Sequence, residues 1–279
     1  MIPPDVRNSA MDRFSAHIGY LYTELPFTDR ISAAAKDGFN AIEHNEPFEV
    51  PAAEMRRRLN DLGLSFSQLS SGMGDAGKGE KGLAALCGRE GEFRNDFLRA
   101  LEYAQVICCP LINPMAGKPS RGMLDASETY YANIGWAIEA CVGSDVSLLV
   151  EPITLPGYHL RTLTDAVALH ERFGRRFKLL VDTYHAANMQ VDPVTWIDEH
   201  ADRIGHMHIA DHPGRHEPGT ATIDFPGVIQ ALDRSGYRGA VGFEYVPTGS
   251  TRDSIDFLKT WKHPAEPAAP SQIYAGANS

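Results

Sequence analysis

The stretch Leu148-Leu149-Val150-Glu151-Pro152 is a short apolar run that ends in a glutamate. Three later runs have the same form, an apolar segment with a potential metal ligand near its carboxyl end: Leu179-Leu180-Val181-Asp182, Ile204-Gly205-His206-Met207-His208 and Val241-Gly242-Phe243-Glu244-Tyr245. Each run is predicted to be a strand. Because the carboxyl ends of parallel barrel strands converge on one face, we expect Glu151, Asp182, His208 and Glu244 to meet around one divalent metal ion.

The alternation of strand and helix patterns extends over most of the chain. Eight strands are predicted, at residues 14–21, 41–44, 65–70, 111–115, 148–153, 179–184, 204–210 and 240–245. Eight amphipathic helices alternate with them, at 28–36, 51–62, 92–105, 127–141, 164–173, 193–200, 225–234 and 251–261. Eight such units match the usual size of a closed (β/α)8 TIM barrel, an α/β fold, and an open doubly wound sheet is the structural alternative.

The domain organisation follows from the same patterns. We expect one catalytic barrel over residues 14–262, an N-terminal extension at 1–13, and a flexible tail at 263–279 that is rich in Ala, Pro and Ser. The long Gly-rich connection at 71–91 lies where a barrel has its functional face, and we interpret it as a lid or substrate loop. The alternative is that this connection is a surface loop without a role in function.

The composition limits which kinds of partner the protein can bind and indicates its cellular compartment. The 279 residues carry a net charge of -10, which disfavours sequence-independent binding to nucleic acid or to an anionic membrane and favours a small-molecule partner. Cys87, Cys108, Cys109 and Cys141 show no C-x-x-C spacing, and the N-terminal segment lacks an apolar signal region. A cytoplasmic location is therefore expected. Exposed barrel helices often pair, which leaves a homo-oligomer open.

The four candidate ligands indicate a type of metal and a type of chemistry. Three carboxylates and one imidazole suit Mg²⁺ or Mn²⁺, the nitrogen ligand favours Mn²⁺ or Co²⁺, and Zn²⁺ is a less natural choice. For each acid alone, a salt-bridged strand end is the alternative. Such a metal polarises a carbonyl and stabilises an enediolate, while Glu151 and Glu244 transfer the protons. Isomerisation and epimerisation both remain open at this point.

Three further residues are candidates for substrate binding. His185 follows the strand end at Asp182, where it could meet a substrate oxygen, with loop packing as the alternative. Arg215 is suited to bind a substrate carboxylate through two N–H groups, with an ion pair to Glu217 as the alternative. It lies in the turn-rich loop His212-Pro213-Gly214-Arg215-His216-Glu217-Pro218-Gly219. His185, Arg215 and Glu217 are therefore the predicted substrate-binding residues. His206 is expected inside the barrel or behind a metal ligand.

Several motifs resemble those of hydroxypyruvate isomerases, which belong to the xylose isomerase-like barrels. The likeness runs from about residue 14 to residue 261 and is carried by Gly79-Glu80-Lys81-Gly82, Cys87-Gly88-Arg89-Glu90-Gly91-Glu92-Phe93-Arg94, Ile112-Asn113, Leu149-Val150-Glu151-Pro152-Ile153, Pro156-Gly157-Tyr158-His159-Leu160, Asp182-Thr183-Tyr184-His185, Ile204-Gly205-His206 and Arg215-His216-Glu217-Pro218-Gly219. The resemblance implies a metal-dependent isomerase that interconverts hydroxypyruvate and tartronate semialdehyde, or a close 2-oxo acid. It also implies the ligand set Glu151, Asp182, His208 and Glu244, with the two glutamates transferring protons.

Two departures from that pattern keep a second activity open. Bacterial hydroxypyruvate isomerases often carry Gln where His208 stands, and the segment between Pro152 and Pro156 is shorter here. A histidine at this position is similar to the ketose 3-epimerases of the same superfamily, which use Glu, Asp, His and Glu around Mn²⁺. A barrel that binds a sugar acid without turning it over is the third hypothesis. A DNA-repair nuclease is disfavoured by the negative charge.

Overall fold

The computed structural model describes residues 13–119 and 125–262. Apart from Arg13, the predicted N-terminal extension lies outside these residues, as does the predicted tail at 263–279. Nine parallel strands form one sheet in the order β3-β2-β1-β9-β8-β7-β6-β5-β4. They are β1 (Phe14–His17), β2 (Ala41–Glu43), β3 (Ser65–Phe66), β4 (Leu69–Ser71), β5 (Leu111–Pro114), β6 (Ser147–Val150), β7 (Phe177–Asp182), β8 (Ile204–Ile209) and β9 (Val241–Phe243).

The sheet curls into a nearly closed barrel. Strand β1 pairs with both β2 and β9, so the first and last strands of the described residues are neighbours, as they are not in an open doubly wound sheet. The two ends of the sheet order, β3 and β4, are halves of the single strand predicted at 65–70, interrupted at residues 67 and 68. One half pairs with β2 and the other with β5. The expected (β/α)8 TIM barrel is confirmed.

The helices form the outer layer. They are α1 (Phe27–Lys36), α2 (Ala52–Leu62), α3 (Glu90–Ile107), α4 (Ala126–Ala140), α5 (Leu163–Phe173), α6 (Thr183–Asn188), α7 (Pro193–His200), α8 (Phe225–Arg234), α9 (Thr251–Ser254) and α10 (Phe257–Lys262). Each longer helix buries one apolar face against the barrel, as Val228, Ile229 and Leu232 do in α8. In the two described ranges, no helix is both long enough and apolar enough to cross a bilayer.

Several predicted elements have different bounds in the structure. The strand predicted at 179–184 ends at Asp182, because the carboxylate of Asp182 accepts the backbone N–H of Tyr184 at 2.8 Å and caps helix α6. The helix predicted at 251–261 is divided into α9 and α10. The first difference affects the site, since His185 lies on the short helix α6 that Asp182 begins.

Side chains alternate across the barrel wall. Along β8, Met207 and Ile209 join the apolar core between the barrel and the helices. His206 and His208 point into the barrel, where both approach Glu43 of β2. The interior of the barrel is therefore polar on this side, and its polar side chains are fully buried.

Candidate active site

Four buried side chains meet at the carboxyl end of the barrel. Glu151 follows β6, Asp182 ends β7, His208 lies in β8 and Glu244 follows β9. The parallel register places Asp182 beside His208, and each of the four offers one ligand atom within 4.8 Å of the others. The structure thus brings together the residues that the strand-end pattern singled out. Their role as metal ligands stays a prediction.

The donor atoms fit a divalent cation. His208 Nδ1 lies 3.2 Å from Glu244 Oε2 and 3.9 Å from Glu151 Oε1, so this nitrogen faces the carboxylates. Its other nitrogen, Nε2, lies 3.3 Å from Glu43 Oε1. Within the described part of the chain, neither nitrogen has an aligned hydrogen-bond partner. A carboxylate behind the outer nitrogen of a ligand histidine is common in metal sites, because it leaves the inner lone pair for the cation.

Glu43 is a residue that the sequence reasoning missed. Its carboxylate is fully buried, accepts the Ser67 hydroxyl at 2.8 Å, and has Oε2 2.6 Å from His206 Nε2. Burial alone would raise the pKa of Glu43, but His206 and His208 outweigh it and hold that pKa well below its usual range. A Cβ at Gly242 would overlap Oε1, so the glycine makes this approach possible. Like the predicted ligands, Glu43 ends an apolar strand, and that signal was available in the sequence.

The pKa values of Glu151 and Glu244 are shifted in opposite directions, although both side chains line one cavity. Burial, reinforced by the charge of Glu244, raises the pKa of Glu151 to about 8. Burial would also raise the pKa of Glu244, but Arg215 and His208 outweigh it and hold that pKa far below its usual range. Asn113 donates an N–H to Glu151 Oε2 at 3.2 Å. In the metal-free protein, Glu151 is therefore protonated near neutral pH while Glu244 is ionised.

Arg215 connects two of the acids. Its Nη2 donates to Asp182 Oδ2 at 3.0 Å and also to Glu244 Oε2, and the guanidinium lies 5.2 Å and 5.5 Å from the rings of Tyr20 and Tyr184. The backbone at Arg215 has φ +58°, a left-handed conformation that costs about 1–2 kcal/mol for a residue with a Cβ. Strain of this kind persists where the surrounding structure fixes the backbone.

Glu217 lies apart from this group. Its carboxylate accepts hydrogen bonds from the backbone N–H of Thr248, at 3.0 Å, and from the Thr248 hydroxyl. In the part of the chain that the structure describes, it forms no ion pair with Arg215 and does not line the cavity. Its predicted role in substrate binding is untested.

His185 and the cavity complete the site. His185 Nδ1 lies 2.8 Å from the Thr154 hydroxyl, Nε2 lies 3.9 Å from Asp182 Oδ2, and burial lowers the pKa of the imidazole. The cavity has a volume of about 90 Å³, which suits a small molecule. It is lined by Tyr20, Asn45, Met73, Lys81, Met115, Glu151, Ile153, Leu155, Tyr158, His185, Arg215 and Glu244. Met73 and Lys81 come from the 71–91 loop.

A buried aspartate organises the loop that carries Arg215. The Asp211 carboxylate accepts five backbone N–H groups at 2.8–3.1 Å, from His212, Gly219, Ala221, Thr222 and Ile223. The backbone of Arg215 is fixed on both sides, since its N–H donates to the Asp211 carbonyl at 3.1 Å and its carbonyl accepts from Val246 at 2.8 Å. The position of Arg215 therefore depends on Asp211, which no sequence pattern indicated.

Comparison with known proteins places this site in a family. Residues 31–261 match the model of the xylose isomerase-like TIM barrel family. The chain belongs to this family. A relative named 2-oxo-tetronate isomerase, from Cupriavidus necator, is 38% identical over 90% of this chain and 99% of its own length. The hydroxypyruvate isomerase of Escherichia coli is 33% identical over 90% of this chain and 100% of its own length.

A solved structure shares the fold of this chain. The crystal structure titled AP endonuclease, family 2, from Brucella melitensis aligns with a TM-score of 0.85 and 32% identity, over 89% of this chain and 98% of that one. The family match and the relatives named hydroxypyruvate isomerase and 2-oxo-tetronate isomerase confirm the resemblance to hydroxypyruvate isomerases within the xylose isomerase-like barrels.

Proposed function

We propose that this protein is a metal-dependent isomerase that interconverts hydroxypyruvate and tartronate semialdehyde, or a close 2-oxo sugar acid. The observation that carries the proposal is the pair Glu151 and Glu244, which line one cavity with widely separated proton affinities. Two carboxyl groups whose environments push their pKa values apart form an acid and base pair. The names of relatives that match over nearly their full length support the same reaction class.

The reaction needs one proton to move between neighbouring carbons. Glu244, ionised beside Arg215, accepts a proton from C3 of hydroxypyruvate, and the electron pair of that C–H bond forms the C2–C3 double bond of an enediolate. The proton of the C3 hydroxyl passes to the C2 oxygen, and the proton that Glu244 accepted is delivered to C2, directly or through Glu151, so that both carboxylates return to their starting state. The products of these transfers are an aldehyde at C3 and a hydroxyl at C2, which is tartronate semialdehyde.

The cation proposed for this site is Mg²⁺ or Mn²⁺, held by Glu151, Asp182, His208 and Glu244. When bound, it would supply Lewis acidity that polarises the substrate carbonyl and stabilises negative charge on its oxygens. Co²⁺ and Zn²⁺ are alternatives for the same donors. Arg215 and His185 are proposed to orient substrate oxygens, and Arg215 Nε supports this because it is buried without a hydrogen-bond partner among the described residues.

A small molecule is the proposed partner, and the cytoplasm is the proposed location. All four cysteines are free, at Cys87, Cys108, Cys109 and Cys141, which suits a reducing compartment. Whether two or more copies associate stays a prediction from the general behaviour of barrel helices.

A ketose 3-epimerase is the second candidate. The observation in its favour is His208, which completes a Glu, Asp, His and Glu set similar to that of those enzymes. In that reaction the two glutamates would exchange a proton at one carbon from opposite faces of the substrate. The two candidates differ in the substrate they need, since the first acts on an acid and the second on a neutral ketose.

Proton exchange measured by NMR separates the candidates. The Mn²⁺-loaded protein is incubated in D2O with hydroxypyruvate or with fructose. Deuterium incorporation and an aldehyde signal from hydroxypyruvate alone support the isomerase, and exchange at C3 of the ketose alone moves the assignment to an epimerase. Exchange in neither sample favours a barrel that only binds its ligand.

Substitution of the glutamates tests the mechanism. Glu151→Gln and Glu244→Gln are each expected to preserve the fold and to lower turnover by roughly 10²- to 10⁴-fold, the usual contribution of a general acid or base. Wild-type rates in both variants would contradict the two-glutamate mechanism.

A further inference from the structure

The 71–91 loop is docked firmly on the barrel beside the cavity. Gly82 pairs with Ala116 just beyond strand β5, and the backbone N–H groups of Leu83 and Ala84 both donate to the carbonyl of Met115 at 3.1 Å. A Cβ on Gly82 would overlap the backbone of Gly117, so only a glycine allows this contact. The loop therefore holds a defined position, and so does the residue that precedes Gly82.

That residue is Lys81, whose side chain lines the cavity and is exposed. The other two cations of the loop are already paired, Lys78 with Asp75 at 3.1 Å and Arg89 with Glu80 at 2.6 Å. Lys81 forms no ion pair and no side-chain hydrogen bond with any residue in the ranges that the structure describes. Lys81 is therefore a cation at the cavity that has no counter-charge among the described residues.

The charge balance of the cavity sharpens this observation. The three acids of the cluster, Glu151, Asp182 and Glu244, carry three negative charges when all are ionised. A divalent cation together with Arg215, which already contacts Asp182 and Glu244, supplies three positive charges. Lys81 adds a further positive charge at the cavity, and it forms no ion pair with any side chain in the described ranges, whereas Glu43 has His206 and His208 as its own partners. An unpaired cation in this position favours an anionic ligand over a neutral one of the same shape.

We propose that Lys81 binds the carboxylate of the substrate and selects 2-oxo sugar acids over neutral ketoses. This inference rests on the proposed isomerase function and assigns its substrate class. It changes the role predicted for Arg215, whose Nη2 holds Asp182 and Glu244 while Lys81 neutralises the substrate charge. An ammonium suits this task, because its three donors on a flexible stem can follow a carboxylate at the rim of a cavity.

A pair of substrates that differ only in the carboxylate tests the proposal. Hydroxypyruvate carries the charge, and dihydroxyacetone has a neutral CH2OH group in its place while undergoing the same proton shift. Deuterium exchange in D2O is measured for both with the metal-loaded wild type, Lys81→Met, Lys81→Arg and the matched control Lys78→Met. Lys78 lies on the same loop but does not line the cavity.

The expected result is specific to the acid. Lys81→Met should lower kcat/KM for hydroxypyruvate by roughly 10- to 100-fold, mainly through KM, as expected for the loss of a hydrogen bond to a charged group. Exchange into dihydroxyacetone should be unchanged. Lys81→Arg should restore most of the loss, and Lys78→Met should match the wild type. KM for hydroxypyruvate should also rise with ionic strength, less steeply in Lys81→Met than in the wild type.

Failure of this inference differs from failure of the proposed function. A wild type that turns over hydroxypyruvate, with Lys81→Met unchanged in KM and in salt dependence, overturns the role of Lys81 and leaves the isomerase standing. An equal loss on both substrates also overturns it, because the effect is then independent of the carboxylate. A wild type that exchanges protons with ketoses but with no 2-oxo acid overturns the isomerase and the Lys81 assignment together.

Discussion

Replacing Asp211 with asparagine should destabilise the protein and slow the reaction, although Asp211 does not line the cavity. In the wild type, Oδ1 accepts the N–H groups of His212, Thr222 and Ile223, and Oδ2 accepts those of Gly219 and Ala221. An amide keeps only one acceptor oxygen. If the amide oxygen takes the place of Oδ1, three of the five hydrogen bonds are kept, and the NH2 group then faces the N–H groups of Gly219 and Ala221.

The magnitude follows from the two lost bonds. Hydrogen bonds to a charged group contribute about 1.5–3 kcal/mol each, so the loss has an upper limit of roughly 6 kcal/mol. Gly219 and Ala221 are exposed, and water will satisfy part of the freed N–H groups, so we expect a loss nearer to about 3 kcal/mol. For a chain of this size, that loss lowers Tm by roughly 6–12 °C.

The effect on turnover comes through Arg215. Its backbone N–H donates to the Asp211 carbonyl, and its guanidinium contacts Asp182 and Glu244. A looser loop misplaces the guanidinium, and a displacement of about 1 Å at a reacting centre can cost roughly 10²-fold in rate. We therefore expect a 10- to 100-fold loss, roughly, in kcat at a temperature where the variant is folded.

Thermal unfolding followed by circular dichroism and deuterium exchange at 25 °C measure the two effects. Asp224→Asn is the matched control, because Asp224 accepts one N–H, from Gly227 at 3.0 Å, at the start of α8, and asparagine caps helices about as well as aspartate. If Asp211→Asn keeps both the Tm and the turnover of that control, the argument from the five hydrogen bonds is wrong.

Three further predictions concern the metal site and the loop. The pKa values of Glu151 and His208 are raised in the metal-free protein, so both groups must lose protons to bind a cation. The apparent Mn²⁺ affinity should therefore rise at least about tenfold per pH unit between roughly pH 6 and 8. Calorimetry would measure this affinity, and an affinity that does not change with pH would contradict the ligand assignment. Glu43→Gln, which weakens the support behind His208, should lower that affinity by roughly 10- to 100-fold in the same assay, whereas unchanged binding would remove Glu43 from the metal site. Gly82→Ala should detach the 71–91 loop from the barrel, which would increase cleavage in limited proteolysis and raise KM. Gly79→Ala is the control, because Gly79 also has a positive φ but no atom lies near the position of its Cβ. Equal behaviour of the two variants would mean that the contact of Gly82 is unimportant.

Local sequence patterns predicted the fold of this protein and most of its candidate site residues. Apolar runs of strand length alternating with amphipathic stretches predicted the barrel, and the polar residue at the end of each run predicted which side chains would meet. That prediction works because parallel barrel strands all present their carboxyl ends to one face, so position within a strand determines position in space. Glu43 obeyed the same rule and could have been found with it.

Other features were decided only by the tertiary structure. Glu43 reaches His208 across the barrel because the register and Gly242 leave room for it. The five N–H groups around Asp211, the contacts of Arg215 with two acids, and the docking of Lys81 at the cavity depend on the paths of irregular loops. Such loops have no repeating pattern from which their contacts could be read. The sequence by itself therefore determined the barrel and its four candidate ligands, while the tertiary structure decided which side chains support these candidate ligands and which cation at the cavity forms no ion pair with the described residues.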